Sequence, residues 1–269
     1  ERFLPGDAVT GYWGIATGNV ITSAVNTNLS GGTTYYYRVR AQNSMGTSDN
    51  SNTITVITLP TKPVAKVASS VTQIGFTATW NAVSGIVSGY KIDIASDGDF
   101  TNILTGYSNL DVGNVLLFST TDTLGSGSTY YYRIRAYNAS GESENSNIIS
   151  VLTVPDEPKA TAATDVTTTG FQANWDDANG ASKYYLYVAK DLGFQNFVPG
   201  FNGKEVSSIN RSSVTGLASN TLYYYRVVAT NATGSSDYSN VMTVVTSSTS
   251  PVALPALSIT QTSFIANWS

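Results

Sequence analysis

Tyrosine and arginine recur side by side at three places in this chain, and these residue types suit binding better than catalysis. The pairs are Tyr36 with Arg38, Tyr131 with Arg133, and Tyr224 with Arg226. If each pair lies in a β-strand, its members point to the same side because strand side chains alternate with a period of two. Exposed tyrosine and arginine are enriched at binding hot spots. This face, together with Trp13, is therefore a candidate site for a glycan or a protein.

A structural role is the competing interpretation of the same residues. Arginine stems could pack on tyrosine rings and pair across the sheet with residues such as Asp93 or Tyr187. The pairs recur in every copy, whereas a ligand site need appear only once. The repetition therefore favours a cross-strand ladder over a ligand face.

Several classes of chemistry are excluded by composition. The chain has no cysteine and no histidine, which removes disulfides, thiolate and imidazole metal sites, and Ser-His-Asp or Cys-His catalysis. Asp97 and Asp99 form a local acidic pair, but calcium needs several oxygen ligands around one point, so a solvated turn is the stronger interpretation. The remaining acids are scattered. The sequence predicts a protein that is not an enzyme and binds no metal or cofactor.

Charge and hydropathy exclude two classes of partner. Lys and Arg total 14 and Asp and Glu total 18 among 269 residues, a formal net charge of −4. Binding to nucleic acid needs clustered Lys and Arg, which are absent here. No apolar run approaches the roughly 18 residues of a membrane-spanning helix. We therefore expect neither nucleic-acid binding nor membrane insertion.

The chain is a tandem array. The phrase Tyr-Tyr-Tyr-Arg begins at residues 35, 130 and 223, and Trp80, Trp175 and Trp268 keep the same spacing. A fixed period of about 95 residues indicates one domain type used repeatedly. We divide the chain into repeat 1 (residues 1–58, partial), repeat 2 (61–154, complete), repeat 3 (156–246, complete) and repeat 4 (250–269, partial).

Each complete repeat reads as a β-sandwich. In repeat 2, Ile74, Phe76, Ala78 and Trp80 alternate with polar residues, as in a strand with one buried face. Tyr130, Tyr132 and Ile134 alternate in the same way in a later strand. Seven short strands at regular spacing in about 95 residues predict an all-β sandwich.

At these residues the repeat resembles a fibronectin type III domain. Three features carry the resemblance: a tryptophan at the end of the second predicted strand (Trp80, Trp175 and Trp268), a Leu and a Tyr six residues apart, and the sequence after that Tyr, for example Arg-Ile-Arg-Ala-Tyr-Asn at 133–138. The Leu/Tyr pairs are Leu29/Tyr35, Leu124/Tyr130 and Leu217/Tyr223. The resemblance implies tandem seven-stranded Greek-key, immunoglobulin-like sandwiches, with Trp80, Trp175, Tyr35, Tyr130 and Tyr223 as structural core residues.

The resemblance also suggests a location. The variant with Tyr-Tyr-Tyr-Arg and Ser-Asn resembles units of secreted and surface proteins of Bacteroidetes-type bacteria. It implies an extracellular or bacterial cell-surface protein. The expected partners are neighbouring domains of the same longer chain, and a glycan or a surface protein.

The incomplete repeats at the two ends leave two interpretations open. A window on a longer array explains them most simply. Alternatively, residues 250–269 of one chain, which are predicted to form the first two strands (A and B) of a sandwich, could complete repeat 1 of the next chain and build a fibre head to tail. Repeat 1 would still lack the third strand (C), which is central in its sheet, and this counts against the exchange.

A structural spacer is the leading functional hypothesis. The junctions at Pro60 to Pro63 and Pro155 to Pro158 carry two prolines each, and proline stiffens a linker. We expect a non-catalytic spacer or presentation segment of a larger adhesin or polysaccharide-degrading enzyme. A glycan- or protein-binding adhesion module is the alternative. Asn-x-Ser/Thr sequons, such as those at Asn138 and Asn231, are expected by chance in a chain this rich in Asn, Ser and Thr.

Overall fold

The computed structural model describes residues 8–120 and 124–269, and this part of the chain is all-β, without a helix. It separates into two compact units. The first holds described residues 8–70, 76–120 and 129–151, and the second holds 71–75, 124–128 and 152–269. The first unit thus contains repeat 1 and most of repeat 2, and the second contains repeats 3 and 4.

Within the described residues, twenty-one strands follow one another in sequence. Repeat 1 holds β1 Thr34–Tyr37, β2 Gln42–Asn43, β3 Gly46–Thr47 and β4 Ile54–Ile57. Repeat 2 holds β5 Ala65–Ser69, β6 Thr77–Trp80, β7 Gly89–Ala95, β8 Leu110–Gly113, β9 Leu117–Ser119, β10 Thr129–Asn138, β11 Gly141–Glu142 and β12 Ile149–Leu152. Repeat 3 holds β13 Ala160–Thr164, β14 Gly170–Trp175, β15 Lys183–Ala189, β16 Phe197–Val206, β17 Arg211–Thr215, β18 Leu222–Thr230 and β19 Met242–Val245. Repeat 4 holds β20 Ala253–Leu257 and β21 Ile265–Trp268.

Each complete repeat is built from two sheets. In repeat 3, one sheet has the order β13-β14-β17 and the other has the order β16-β15-β18-β19, with antiparallel pairing throughout. Repeat 2 has the sheet β5-β6-β9 and a sheet in which β10 pairs with β7, β11 and β12. The predicted fold class, tandem β-sandwiches, is confirmed.

The same aromatic pairs fill both sandwiches. Trp80 lies 5.7 Å from Tyr90, and Trp175 lies 5.5 Å from Tyr184, ring centre to ring centre. Both tryptophans are buried. Burial of large apolar side chains is the dominant favourable term in folding, so these rings account for much of the stability of a sandwich that has no disulfide. The indole N–H groups of the two tryptophans have no acceptor within the described residues.

The first and third tyrosines of the repeated phrase make different hydrogen bonds. The hydroxyl of the first tyrosine is an acceptor: Tyr35 accepts a hydrogen bond from the Ser30 amide at 2.8 Å, and Tyr223 accepts one from the Ala218 amide at 3.0 Å. The third one donates: the hydroxyl of Tyr225 donates to the carbonyl of Thr161 on the first strand of its repeat. Tyr132 makes the matching bond to Lys66. Tyr130 and Tyr223 are buried and Tyr35 is half-buried.

Serine hydroxyls accept backbone amides from the stretch directly after the phrase. In repeat 2, the Ser143 hydroxyl accepts the amide of Ala136 and the Ser146 hydroxyl accepts the amide of Ile134, both at 3.0 Å. Ser236 and Ser239 do the same in repeat 3, and Ser48 and Ser51 in repeat 1. The chain leaves regular strand geometry here, and the hydroxyls supply the acceptors that buried amides need.

One predicted inward residue points outward. Ile74 was expected on the buried face of a strand running to Trp80, but it is exposed. The backbone amide of Thr72 donates to the carbonyl of Gly75 at 2.8 Å, so residues 72–75 form a turn. Regular pairing begins only at Thr77, and the period-two pattern before that residue does not report a strand.

The partial repeats leave their apolar side chains uncovered. In repeat 4, β20 and β21 pair as an antiparallel ladder, and Trp268 is 66% exposed. Its counterparts Trp80 and Trp175 are core residues. In repeat 1, β1 pairs with β4 and β2 pairs with β3.

Candidate ligand-binding face and the junctions between repeats

In repeat 1 the candidate residues lie at the surface. Trp13 is 48% exposed and Tyr36 is 44% exposed. Arg38 is half-buried and engaged in contacts. The neighbouring Tyr12 ties the loop down, since its hydroxyl accepts the amides of Asn26 and Thr27 at 3.0 and 3.2 Å. Trp13 is therefore displayed on an anchored loop, with a ring available for stacking.

In repeat 2 the arginines of the candidate face form ion pairs with Asp93. Arg133 lies opposite Asp93 in the β10–β7 register, and its Nε donates to Asp93 Oδ2 at 2.9 Å. Arg135 Nη1 donates to the same oxygen at 3.1 Å, and the Asn109 amide donates to Oδ1 at 2.7 Å. Asp93 is 2% exposed. The carboxylate is thus buried with its lone pairs satisfied.

The protonation of Asp93 follows from these contacts. Burial alone would raise the pKa of Asp93, but the Asn109 amide, the hydrogen bond from Arg133 and the charge of Arg135 outweigh it and hold the pKa below its ordinary value. Arg135 and Lys91 also reach Glu142, at 3.1 and 2.6 Å. The cations of this face are therefore paired within the repeat.

In repeat 3 the equivalent arginine is surrounded by rings. Arg226 lies opposite Tyr187 in the β18–β15 register. The guanidinium carbon is 3.6 Å from the ring centre of Tyr238, 4.1 Å from that of Phe194 and 5.8 Å from that of Tyr187. These are cation–π distances. No carboxylate of the described residues lies within 4.0 Å of the Arg226 nitrogens.

The two repeats share the phenylalanine beneath the arginine. Arg133 stacks on Phe100 at 4.1 Å, the same distance as Arg226 on Phe194. Both phenylalanines adopt the left-handed region, with φ of 58° and 53°. The sequence pattern did not predict this stack.

An aspartate holds each of these phenylalanine turns. Asp97 Oδ2 accepts the amide of Asn102 at 2.7 Å, and Asp191 Oδ2 accepts the amide of Asn196 at 2.7 Å. These backbone bonds lower the pKa of both carboxyls, the largest contribution coming from Thr101 for Asp97 and from Gln195 for Asp191. Asp97 is therefore committed to its own turn, and within the described residues no acidic cluster could hold a metal ion.

A second recurring constellation fastens the end of one repeat to the next. Inside the first compact unit, Asn138 Nδ2 donates to the carbonyl of Thr58 at 2.9 Å, and the Ser140 hydroxyl donates to the carbonyl of Ile57 at 2.6 Å. A backbone bond of 2.6 Å joins the amide of Ile86 to the carbonyl of Gly32. We call this set of contacts the Asn clamp.

The Asn clamp is repeated inside the second compact unit. Asn231 Nδ2 donates to the carbonyl of Thr153 at 2.8 Å, and the Thr233 hydroxyl donates to the carbonyl of Leu152 at 2.7 Å. Gly180 approaches Gly127 so closely that a Cβ on Gly180 would lie 2.1 Å from the Gly127 Cα. Only glycine fits there. The junctions are thus built from specific side-chain contacts as well as from prolines.

The clamp explains two of the glycosylation-like sequons. Asn138-Ala139-Ser140 and Asn231-Ala232-Thr233 supply the amide and the hydroxyl of each clamp. Both asparagines are buried. Composition alone predicts such motifs by chance, and the signal that identifies these two is their recurrence at the same place in repeats 2 and 3.

Comparison with known proteins gives repeat 3 a family. Residues 156–245 match the family model of the fibronectin type III domain, so repeat 3 is a fibronectin type III domain. Among curated proteins, the chain is 24% identical over 238 residues to "Tyrosine-protein phosphatase Lar-like" of Caenorhabditis elegans, covering 83% of this chain. It is 26% identical over 243 residues to "Cell adhesion molecule Dscam1" of Drosophila melanogaster, covering 79% of this chain.

These matches span a small part of each relative. The aligned region covers 10% of the phosphatase and 12% of the adhesion molecule. A solved two-domain fibronectin type III segment of chicken tenascin is 15% identical with a TM-score of 0.40, and the alignment covers 68% of this chain and 99% of that chain. Within the described residues no helix has the length and apolar character needed to cross a membrane.

Proposed function

We propose that this chain, in which repeat 3 is a fibronectin type III domain, is a non-catalytic spacer that holds and presents other domains of a larger protein. The observation that carries the proposal is the Asn clamp, which recurs with equivalent donors and equivalent backbone acceptors at the junctions of repeats 1 and 2 and of repeats 2 and 3. A spacer needs joints that hold their geometry, and specific hydrogen bonds to backbone carbonyls provide it.

The proposed setting is the exterior of a cell. A relative whose name is "Cell adhesion molecule" supports an adhesion-type module, and the Tyr-Tyr-Tyr-Arg variant supports a secreted or surface protein of a bacterium as the parent. Recovery of the complete parent gene, with its other domains and its source, tests both parts of this proposal.

The clamp can be tested directly in the intact chain. We expect Asn231→Ala with Thr233→Val to raise hydrogen exchange at the junction amides of Gly127 and Asp156 about tenfold, because two donors to the junction backbone are removed. Thr249→Val, an exposed hydroxyl outside the strands, is the matched control. Unchanged exchange in the double variant would contradict the clamp.

The spacer role itself is tested in the parent protein. Replacing repeat 2 by an unrelated β-sandwich of equal length should leave every binding and catalytic activity of the parent intact. Deleting repeat 2 should alter only the reach between flanking domains. Loss of a specific ligand on replacement would overturn the spacer role.

A binding module is a second candidate, favoured by one observation. Trp13 is exposed on an anchored loop, and an exposed aromatic ring can stack on a sugar. Titration of the intact chain with oligosaccharides, read by tryptophan fluorescence with Trp13→Ala as control, tests it.

A further inference from the structure

Arg226 is a cation without a carboxylate partner among the described residues. Its counterpart Arg133 is paired with Asp93 at 2.9 Å. At the position of Asp93, repeat 3 carries Tyr187. Two acids of this repeat are engaged elsewhere, since Asp191 accepts the amides of its own turn and Glu205 accepts Lys183 at 2.8 Å.

The guanidinium of Arg226 is held between two aromatic rings. Rings of Tyr238 and Phe194 lie 3.6 and 4.1 Å from its central carbon. Its Nε is enclosed and has no hydrogen-bond partner within the described residues, and the side chain as a whole is half-buried. Tyr238 is 46% exposed. A cation fixed in this way loses little side-chain freedom when it binds an anion.

We propose that the aromatic box around Arg226, formed by Tyr187, Phe194 and Tyr238, binds the carboxylate of an aspartate or glutamate side chain on a partner protein. The terminal nitrogens of Arg226 donate to the two carboxylate oxygens as a fork, the strong geometry for this pair. The proposal goes beyond the spacer role and does not depend on it.

Repeat 2 indicates that the anion is a carboxylate of a protein side chain. The anion that satisfies the same arginine there is an aspartate side chain, with Arg133 Nε donating to Asp93 Oδ2. Repeat 3 lacks this aspartate and instead exposes the Tyr238 ring. Tyrosine and arginine together are typical of the central residues of protein interfaces. An acidic segment of a partner would restore in trans the contact that repeat 2 makes in cis.

The test is a titration of the intact chain with a capped Glu-Gly-Glu-Gly-Glu peptide, followed by NMR. We expect shifts at the Nε–H of Arg226 and at the ring of Tyr238, and none with the matched Gln peptide. Arg226→Gln should weaken binding about tenfold or more, the effect of losing a charge-assisted fork. Arg133→Gln is the matched control and should change the affinity less than about twofold.

A second variant guards against misfolding. Tyr187→Asp keeps Arg226 but supplies an internal carboxylate at the position of Asp93, so it should abolish peptide binding while strand β18 keeps its exchange protection. Absence of any shift at Arg226, or equal losses in Arg226→Gln and Arg133→Gln, would overturn the proposal. Binding of a glucuronate disaccharide at Arg226 without binding of the Glu peptide would overturn the choice of a protein partner.

Discussion

Repeats 2 and 3 support the same arginine by different physics. Arg133 is held by the buried carboxylate of Asp93, whereas Arg226 is held by the faces of aromatic rings. Both rest on a phenylalanine at 4.1 Å. The flat stack is therefore the shared structural element, and the charge partner is exchangeable. One sandwich position can be a closed ion pair in one copy and an open cation in the next.

The largest difference between the two repeats should follow from removing the anion. Asp93→Ala leaves Arg133 without its carboxylate and removes an acceptor from Arg135, so we expect repeat 2 to lose about 3 kcal/mol of unfolding free energy, as when one partner of a buried pair is deleted. Tyr187→Ala removes ring contacts to Arg226, Phe197 and Tyr238 but no charge partner, so it should cost repeat 3 less, about 1–2 kcal/mol. Urea dependence of hydrogen exchange in β10 and β18 separates the two repeats, and equal losses would contradict the comparison.

An acid titration sharpens the same contrast. The folded pKa of Asp93 is held low, so its stabilisation is complete above the unfolded pKa of about 3.9 and is lost as the pH falls through the folded value. Below pH of about 4, strand β10 should lose exchange protection before β18 does. In Asp93→Asn this difference should shrink, because the titrating group is gone, and an unchanged pH profile in that variant would assign the acid response to other carboxyls.

The smallest expected loss of stability comes from Tyr238, the exposed ring of the aromatic box. Tyr238→Leu keeps an apolar side chain but removes the ring that lies 3.6 Å from the Arg226 guanidinium. We expect a cost of about 0.5–1 kcal/mol at this exposed site. The exchange protection of the β18 amides measures this cost. Leu222→Ala, a change at an exposed residue of β18, is the control. A loss several times larger would mean that Tyr238 supports the sheet itself.

The fold was accessible from the sequence because its signals are periodic. The Tyr-Tyr-Tyr-Arg phrase and the spaced tryptophans mark strands whose buried and exposed side chains alternate. The same alternation predicts that Asp93 and Tyr187 face Arg133 and Arg226, as they do. Cross-strand neighbours follow from strand order in a known sandwich. Sequence periodicity therefore predicts the strands and their cross-strand neighbours.

Other contacts were hidden because they join distant loops. Asn231 binds the carbonyl of Thr153, 78 residues away and in another repeat, and no strand pattern says which turn meets which strand end. The Asp97 turn was considered for calcium because its acids are adjacent in sequence. Its role became visible only with the left-handed Phe100 that it positions.

The buried clamp asparagines have a consequence for how the protein is produced. Asn138 and Asn231 are the first residues of Asn-x-Ser/Thr sequons, and a eukaryotic secretory host attaches sugars to such sequons as bulky surface modifications. An oligosaccharide added to the nascent chain would occupy the Nδ2 atom that must reach Thr58 or Thr153. Material from such a host would then fold with its junctions forced open, whereas material from a host without this modification would close them.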